Sequence, residues 1–343
     1  MSARARRQVS LALQGGGAHG AFTWGVLDRL LAETDIEIAA ISGTSAGALN
    51  GAALKAGLVS GGHEAARARL AVLWQKIGEI GDLQGIAPWF QPFVPMLRLM
   101  QQNTAAMLPV SPAQLASQLY SPYAWGQLWQ NPLGPVVREF DFSEVCAAAG
   151  PQLFVGATNV RSGKARIFRE AEITPEALMA SACLPSVFQA VEIGGEAYWD
   201  GGFTGNPPLW PLYSAGLPDD LVIVHVNPLH RDCLPQSPVE IQERMSEISF
   251  NASLLSELRS IAFVKRLRAA GQIAPGQMKD VRVHLIHDDP LMNSLSGASK
   301  LQPGKALIER LFSAGQAAGE AFFARHGAKI GHEPSVNLGE LFL

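Results

Sequence analysis

Residues 36–47 read IEIAAISGTSAG, an apolar run that ends in a serine set between small residues and glycines. A short, continuous stretch of this kind has the pattern of a parallel strand buried on both faces. The small-residue run ALNGAALKAG that follows continues as a helix. G-x-S-x-G between strand and helix is the setting in which a serine sits on a sharp turn with its hydroxyl at the head of a sheet. Gly43 and Gly47 leave room for a carbonyl to approach Ser45, and the first amides of the helix lie near the negative charge that would form after attack.

Upstream, Val9 to Leu13 reads as a short buried strand, QGGGAHG as a turn, and AFTWGVLDRLLAE as a helix with one apolar face. Two successive β-turn-α units predict an α/β fold with a predominantly parallel central sheet covered by helices. Gly15, Gly16 and Gly17 can turn several backbone amides toward one oxygen, which suits an oxyanion hole. The same loop fits the dinucleotide fingerprint G-x-G-x-x-G from Gly15 to Gly20, for which Glu33, Asp35 and Glu37 are the available acidic ribose contacts. That alternative leaves the GTSAG turn unexplained, and a purely structural turn stands beside it. His19 either donates toward a bound anion or closes the turn.

Further elements are expected at His63–Lys76 (helix), Leu153–Ala157 and Ala165–Phe168 (paired strands) and Pro175–Ala180 (helix). Short strands follow around Val191–Ile193 and Ala197–Trp199, and a buried parallel strand at Leu221–Val226. Ile241, Met245, Ile248, Ala252, Leu255, Leu258 and Ala262 recur at helical spacing and predict a long amphipathic helix buried along that stripe. VRVHLI suggests a final strand, and Lys305–Arg325 a terminal helix with a small-residue middle. Between them, residues 78–137 change character. From Leu99 to Val137 there is no Asp, Glu, Lys or Arg, while prolines, tyrosines and tryptophans are frequent, as in an irregular apolar cap or lid.

The 343 residues carry 27 basic and 30 acidic side chains, a net charge of -3 that gives no basic excess for nucleic acid. Only 17% are charged against 48% hydrophobic, below the roughly 25% charged of an ordinary soluble domain. Some uncharged surface is therefore expected to face an oily substrate, a membrane surface or a partner. No apolar run reaches the roughly 18 residues of a spanning helix, so any membrane contact is expected to be peripheral. Three scattered cysteines suit a reducing cytoplasm and no four-thiolate metal site.

A serine nucleophile needs a base. Asp200, in YWDGG, is the preferred candidate, with a solvated turn aspartate as the plain alternative. Trp199 and Phe203 provide an apolar rim able to raise its pKa. A triad is the other arrangement, with His225, His230, His284 or His287 following Asp200 in the order Ser, Asp, His.

Taken together and in order, GGGAHG, GTSAG and DGG closely resemble the motifs of the bacterial patatin-like phospholipase family. Ser181 and Pro185 in SACLPS, and Asn206 and Pro208 after DGG, look like the family's flanking segments. The resemblance implies a patatin-like fold and a Ser45–Asp200 dyad that hydrolyses acyl esters of lipids, with no histidine, metal or cofactor required. Gly15, Gly16 and Gly17 fall on the family's oxyanion loop. His19 stands where relatives commonly carry Arg or Lys, and so supplies less fixed positive charge. The catalytic domain is expected over 8–226, including the cap or lid at 78–137, with 227–343 completing or extending it. The implied partner is a lipid or other acyl ester, with cytoplasmic location and peripheral contact at the inner membrane face. An acyltransferase using the same serine and a noncatalytic lipid-binding protein are the alternatives.

Overall fold

The computed structural model describes residues 6–81, 122–123 and 131–342. Most of the expected cap, 82–121 and 124–130, lies outside them. β1 (Arg7–Leu13) leads through the glycine turn into α1 (Gly20–Leu30), and β2 (Ile36–Thr44) leads through Ser45 into α2 (Ala46–Gly81). The helix expected at His63–Lys76 is the second half of α2, set off from the first by a break at Gly61 and Gly62. Gly62 has φ +72°, a left-handed conformation that interrupts the helical hydrogen-bond ladder. Two short helices, Leu133–Arg138 and Phe142–Val145, precede β3 (Gln152–Asn159) and β4 (Ala165–Arg169). Next come α3 (Pro175–Ser181), β5 (Val191–Ile193), β6 (Glu196–Asp200) and β7 (Asp220–Val224). α4 (Pro238–Ala269), β8 (Arg282–Ile286) and α5 (Lys305–His326) complete the order used here.

Among the described residues these strands form one eight-stranded sheet, ordered β5-β6-β3-β2-β1-β7-β8, with β4 paired to β3. The pairs β1–β2, β2–β3, β1–β7 and β7–β8 are parallel, and the pairs β3–β4, β3–β6 and β5–β6 are antiparallel. Side chains alternate across the central strands. Leu11 and Leu13 of β1, Val155 of β3 and Val222 of β7 face α1, α2 and α5, while Ala12, Phe154 and Ile223 face α4 with Leu209 and Leu212. Central strands buried on both faces explain why their sequences read as unbroken apolar runs. β7 stops at Val224, short of the expected Val226, because Val226 turns away and donates its amide to the Gln14 side chain.

The stripe expected to bury α4 has the wrong phase over the first half of the helix. Ile241, Met245 and Ile248 are exposed, and the helix turns Glu247, Asn251, Leu254 and Ile261 inward together with Leu258, the expected residue that is buried in the core. The two polar members have partners on the molecule: Arg231 and Arg244 hold Glu247, and Asn251 bonds to Gln14 and to the carbonyls of Asn227 and Pro228. A satisfied buried polar side chain is invisible to a pattern based on hydrophobicity. Among the described residues, no helix is long and apolar enough to cross a membrane.

α5 lies across α1 with backbone nearly in contact. A Cβ on Gly315 would stand 2.0 Å from the Phe22 carbonyl oxygen, and one on Gly25 would stand 2.0 Å from that of Phe312. The small-residue middle of α5 is thus a packing surface. Gly315→Val should separate the helices and lower stability by about 3 kcal/mol, read as a reduced urea midpoint with an unchanged slope; an unaltered midpoint would contradict this close approach.

Candidate active site

In β1 and β2 the parallel register places Leu13 opposite Gly43, so the loops that leave both strands emerge side by side at one end of the sheet. Ser45, the first residue past β2, has φ 54°, a left-handed conformation that costs a non-glycine residue about 1 kcal/mol or more. Its surroundings hold it there. The Ser45 amide donates to Ser181 Oγ at 2.9 Å, and Ser181 Oγ donates to the Gly156 carbonyl at 2.6 Å. The Ser45 carbonyl accepts from the amides of Ala48 and Leu49 in the first turn of α2. Gly47 packs against β1 so closely that a Cβ would lie 2.0 Å from the Leu13 carbonyl oxygen.

Asp200 ends β6, which pairs antiparallel with β3 and aligns Asp200 with Ala157. Its amide donates to the Cys183 carbonyl at 2.7 Å, and its carbonyl accepts from Thr158 Oγ1 at 2.8 Å. The following segment docks onto β2: Thr44 Oγ1 donates to the Gly205 carbonyl and Ser42 Oγ to that of Pro208. These bonds bring the DGG turn to the serine turn across the intervening strand. The Asp200 side chain is 1% exposed. Oδ1 accepts from the Gly202 amide at 2.8 Å, whereas buried Oδ2 has no partner of full hydrogen-bonding geometry. The Ser45 side chain nevertheless faces this carboxylate closely enough to favour its ionised form. Burial outweighs that help and the Gly202 bond, pushing the Asp200 pKa up to about 7.

The glycine loop is held by a polar frame. Asn206 grips Gly15 on both sides, with Oδ1 accepting from its amide at 2.7 Å and Nδ2 donating to its carbonyl at 3.3 Å. Asn227 Nδ2 donates to the same carbonyl at 2.9 Å, and Gln14 Oε1 accepts from the amides of Val226 and Asn227. The Gly15 amide is therefore engaged. Among the described residues, no hydrogen bond occupies the amides of Gly16 and Gly17, and Ala46, first in α2, has no intrahelical acceptor for its own. Gly17 has φ +58° and lies beneath the Lys300 carbonyl, which a Cβ would approach to 2.2 Å.

His19 is buried beside this loop, and its Nε2 is 2.8 Å from Ser299 Oγ. Because Ser299 Oγ donates to the Ser296 carbonyl, the network assigns the imidazole proton to Nε2 and leaves the unpartnered Nδ1 without one. Burial and the nearby Lys300 lower the His19 pKa to about 3, so the ring is neutral. Of the other histidines considered above, His284 bonds to Asp220, His225 makes a long contact to Asn251, His230 pairs with Asp232 and His287 with Asp289. Among the described residues, none of these bonds to Asp200 or Ser45.

Ser45 and Gly17 open into a cavity of about 490 Å³, of the size usual for small-ligand sites, lined mainly by apolar side chains that include Trp74, Ile77, Leu133 and Val187. Lys300 lines it as well. Ser181, Gln14 and Asn227 escaped a functional reading in the sequence. Ser181 had only its place in SACLPS as a signal, and Lys300 had none.

A family model described as patatin-like phospholipase matches residues 11–213. Among solved structures, VipD from Legionella pneumophila is similar at TM-score 0.35 and 14% identity, over 91% of this chain and 68% of that one. The heterodimeric ExoU-SpcU complex from the type III secretion system of Pseudomonas aeruginosa is similar at TM-score 0.31 and 17% identity, over 92% of this chain and 52% of that one. No curated protein matches the chain.

The buried carboxylate carries a stability cost whose sign follows from its raised pKa. Protonated Asp200 suits the core, so its contribution is fully present below about pH 4, erodes as the pH rises and is lost above about pH 7. Asp200→Asn removes the ionisable group. Its melting temperature should exceed that of the wild type at pH 8, with the gap closing toward pH 4; a gap independent of pH would show that the carboxylate does not ionise in this environment.

Proposed function

The chain belongs to the patatin-like phospholipase family, a family of lipid acyl ester hydrolases, and on that premise we propose that it cleaves acyl esters with a Ser45–Asp200 dyad. One observation carries this reading: the buried Asp200 carboxylate faces the Ser45 side chain, keeps one oxygen without a hydrogen-bond partner and has a pKa near 7. A base with that pKa is ionised often enough at neutral pH to act and basic enough to take a hydroxyl proton. Apo geometry is commonly looser than hydrogen-bond length and tightens when substrate arrives.

In the proposed cycle, Asp200 Oδ2 accepts the Ser45 proton as Oγ attacks the ester carbonyl carbon. The amides of Gly16, Gly17 and Ala46 stabilise the oxyanion, assisted by the positive end of α2. The carbonyl then re-forms, the alcohol or lysolipid leaves with the proton from Asp200, and Ser45 holds the acyl group. Water gives its proton to Asp200 and attacks the acyl-enzyme carbonyl. The bond to Ser45 Oγ then breaks as Asp200 returns the proton to that oxygen, and fatty acid leaves the regenerated enzyme. The apolar cavity next to Ser45 suits the acyl chain. His19, neutral and bonded to Ser299, has its proton directed away from the oxyanion in this scheme; we assign it to holding the 297–301 segment over the loop.

Purified Ser45→Ala and Asp200→Asn should stay folded and lose about a thousandfold or more of ester turnover. A fluorophosphonate should label Ser45, as read by peptide mass spectrometry, and wild-type turnover in either variant would refute its assigned role. The wild-type rate on a non-ionising ester should rise through one ionisation near the Asp200 pKa of about 7 and fall off below it. A flat profile across that range would remove Asp200 as base.

A further inference from the structure

Lys300 reaches the cavity from the short 3₁₀ segment Gly297–Leu301, beyond the residues matched by the family model. Its backbone seals the glycine loop over Gly17, and its ammonium donates to Asn227 Oδ1 at 2.7 Å. Asn227 in turn donates to the Gly15 carbonyl, so Lys300 stands one side chain away from the loop. The nearby cations are already committed. Arg231 and Arg244 both bind Glu247, and His19 is neutral. Among the described residues no carboxylate pairs with Lys300, which makes it the charge at this cavity still able to take an anion.

We propose that Lys300 recognises the phosphodiester of a phospholipid substrate and so selects phospholipids over neutral esters, a role that rests on the Ser45–Asp200 reading above. In a glycerophospholipid the phosphate is joined to the ester-bearing glycerol, so a cation on the wall that also carries the serine can meet the headgroup while the ester lies at Ser45. A neutral glyceride offers no such anion. Burial already disfavours the Lys300 ammonium, with Glu247 acting against that effect and Arg231 adding to it. A charge in that condition gains more from an incoming anion than a solvated surface lysine would.

The test compares kcat/KM for a phosphatidylcholine and for a diacylglycerol with the same acyl chains, both in Triton X-100 mixed micelles at fixed surface fraction. Lys300→Met should lower the ratio of phospholipid to diacylglycerol kcat/KM by about tenfold or more, whatever it does to the two rates in common, and Lys300→Arg should keep most of that ratio. A melting midpoint close to that of the wild type reports that the variant is folded. Equal losses on both substrates would overturn the proposal in favour of a loop-positioning role, and so would equal retention on both. Turnover surviving in Ser45→Ala would overturn the serine reading and this one with it. An unchanged substrate ratio in a Ser45-dependent enzyme would overturn this one alone.

Discussion

The parallel pairing of β1 with β2 is the constraint on which the site depends. Because both strands run the same way and end in register, the turns after Leu13 and after Thr44 leave the sheet at the same end and next to one another. An antiparallel pair would send them to opposite ends. The third component, the DGG turn, comes from an antiparallel strand two positions away and is drawn in by hydrogen bonds from Ser42 and Thr44 to the carbonyls that follow it. Strand direction gathers two turns, and side-chain hydrogen bonds gather the third.

Buried polar groups do most of the fine positioning. Gln14, Asn206 and Asn227 are almost fully inaccessible, and their side chains bond to the backbone of Gly15, Val226 and Asn227. Asp200 departs from that pattern, keeping one carboxylate oxygen without a full partner at a cost in stability. A fully satisfied carboxylate would be more comfortable and less basic. The misfit belongs to the local environment that raises its pKa.

Much of this was legible in the sequence where period and local motif are strong. The two β-turn-α units, the GTSAG turn and the strand around 153–157 stand where the periodicity put them, because backbone hydrogen bonding and two-sided burial impose those patterns locally. The phase of the first half of α4 was not legible, since its inward face is partly polar and its outward face carries Ile241, Met245 and Ile248. Nor were the links from Ser181 to the serine turn or from Lys300 to the glycine loop. Those are long-range pairings between single residues, 136 positions apart in the case of Ser45 and Ser181, and no short-range pattern encodes them.

The close seating of α5 on α1 also orders events in time. α1 follows the glycine turn near the start of the chain, yet the helix that covers it begins at Lys305, and the carbonyl that roofs Gly17 belongs to Lys300. During synthesis the serine turn and the glycine loop therefore emerge long before their cover. A ribosome-bound chain stopped before Lys300 presents α1 with the face that receives α5 bare and the loop without its roof, so the native site exists only late in translation. The same separation makes this a structure of high contact order, one whose first-made part waits longest for its partner.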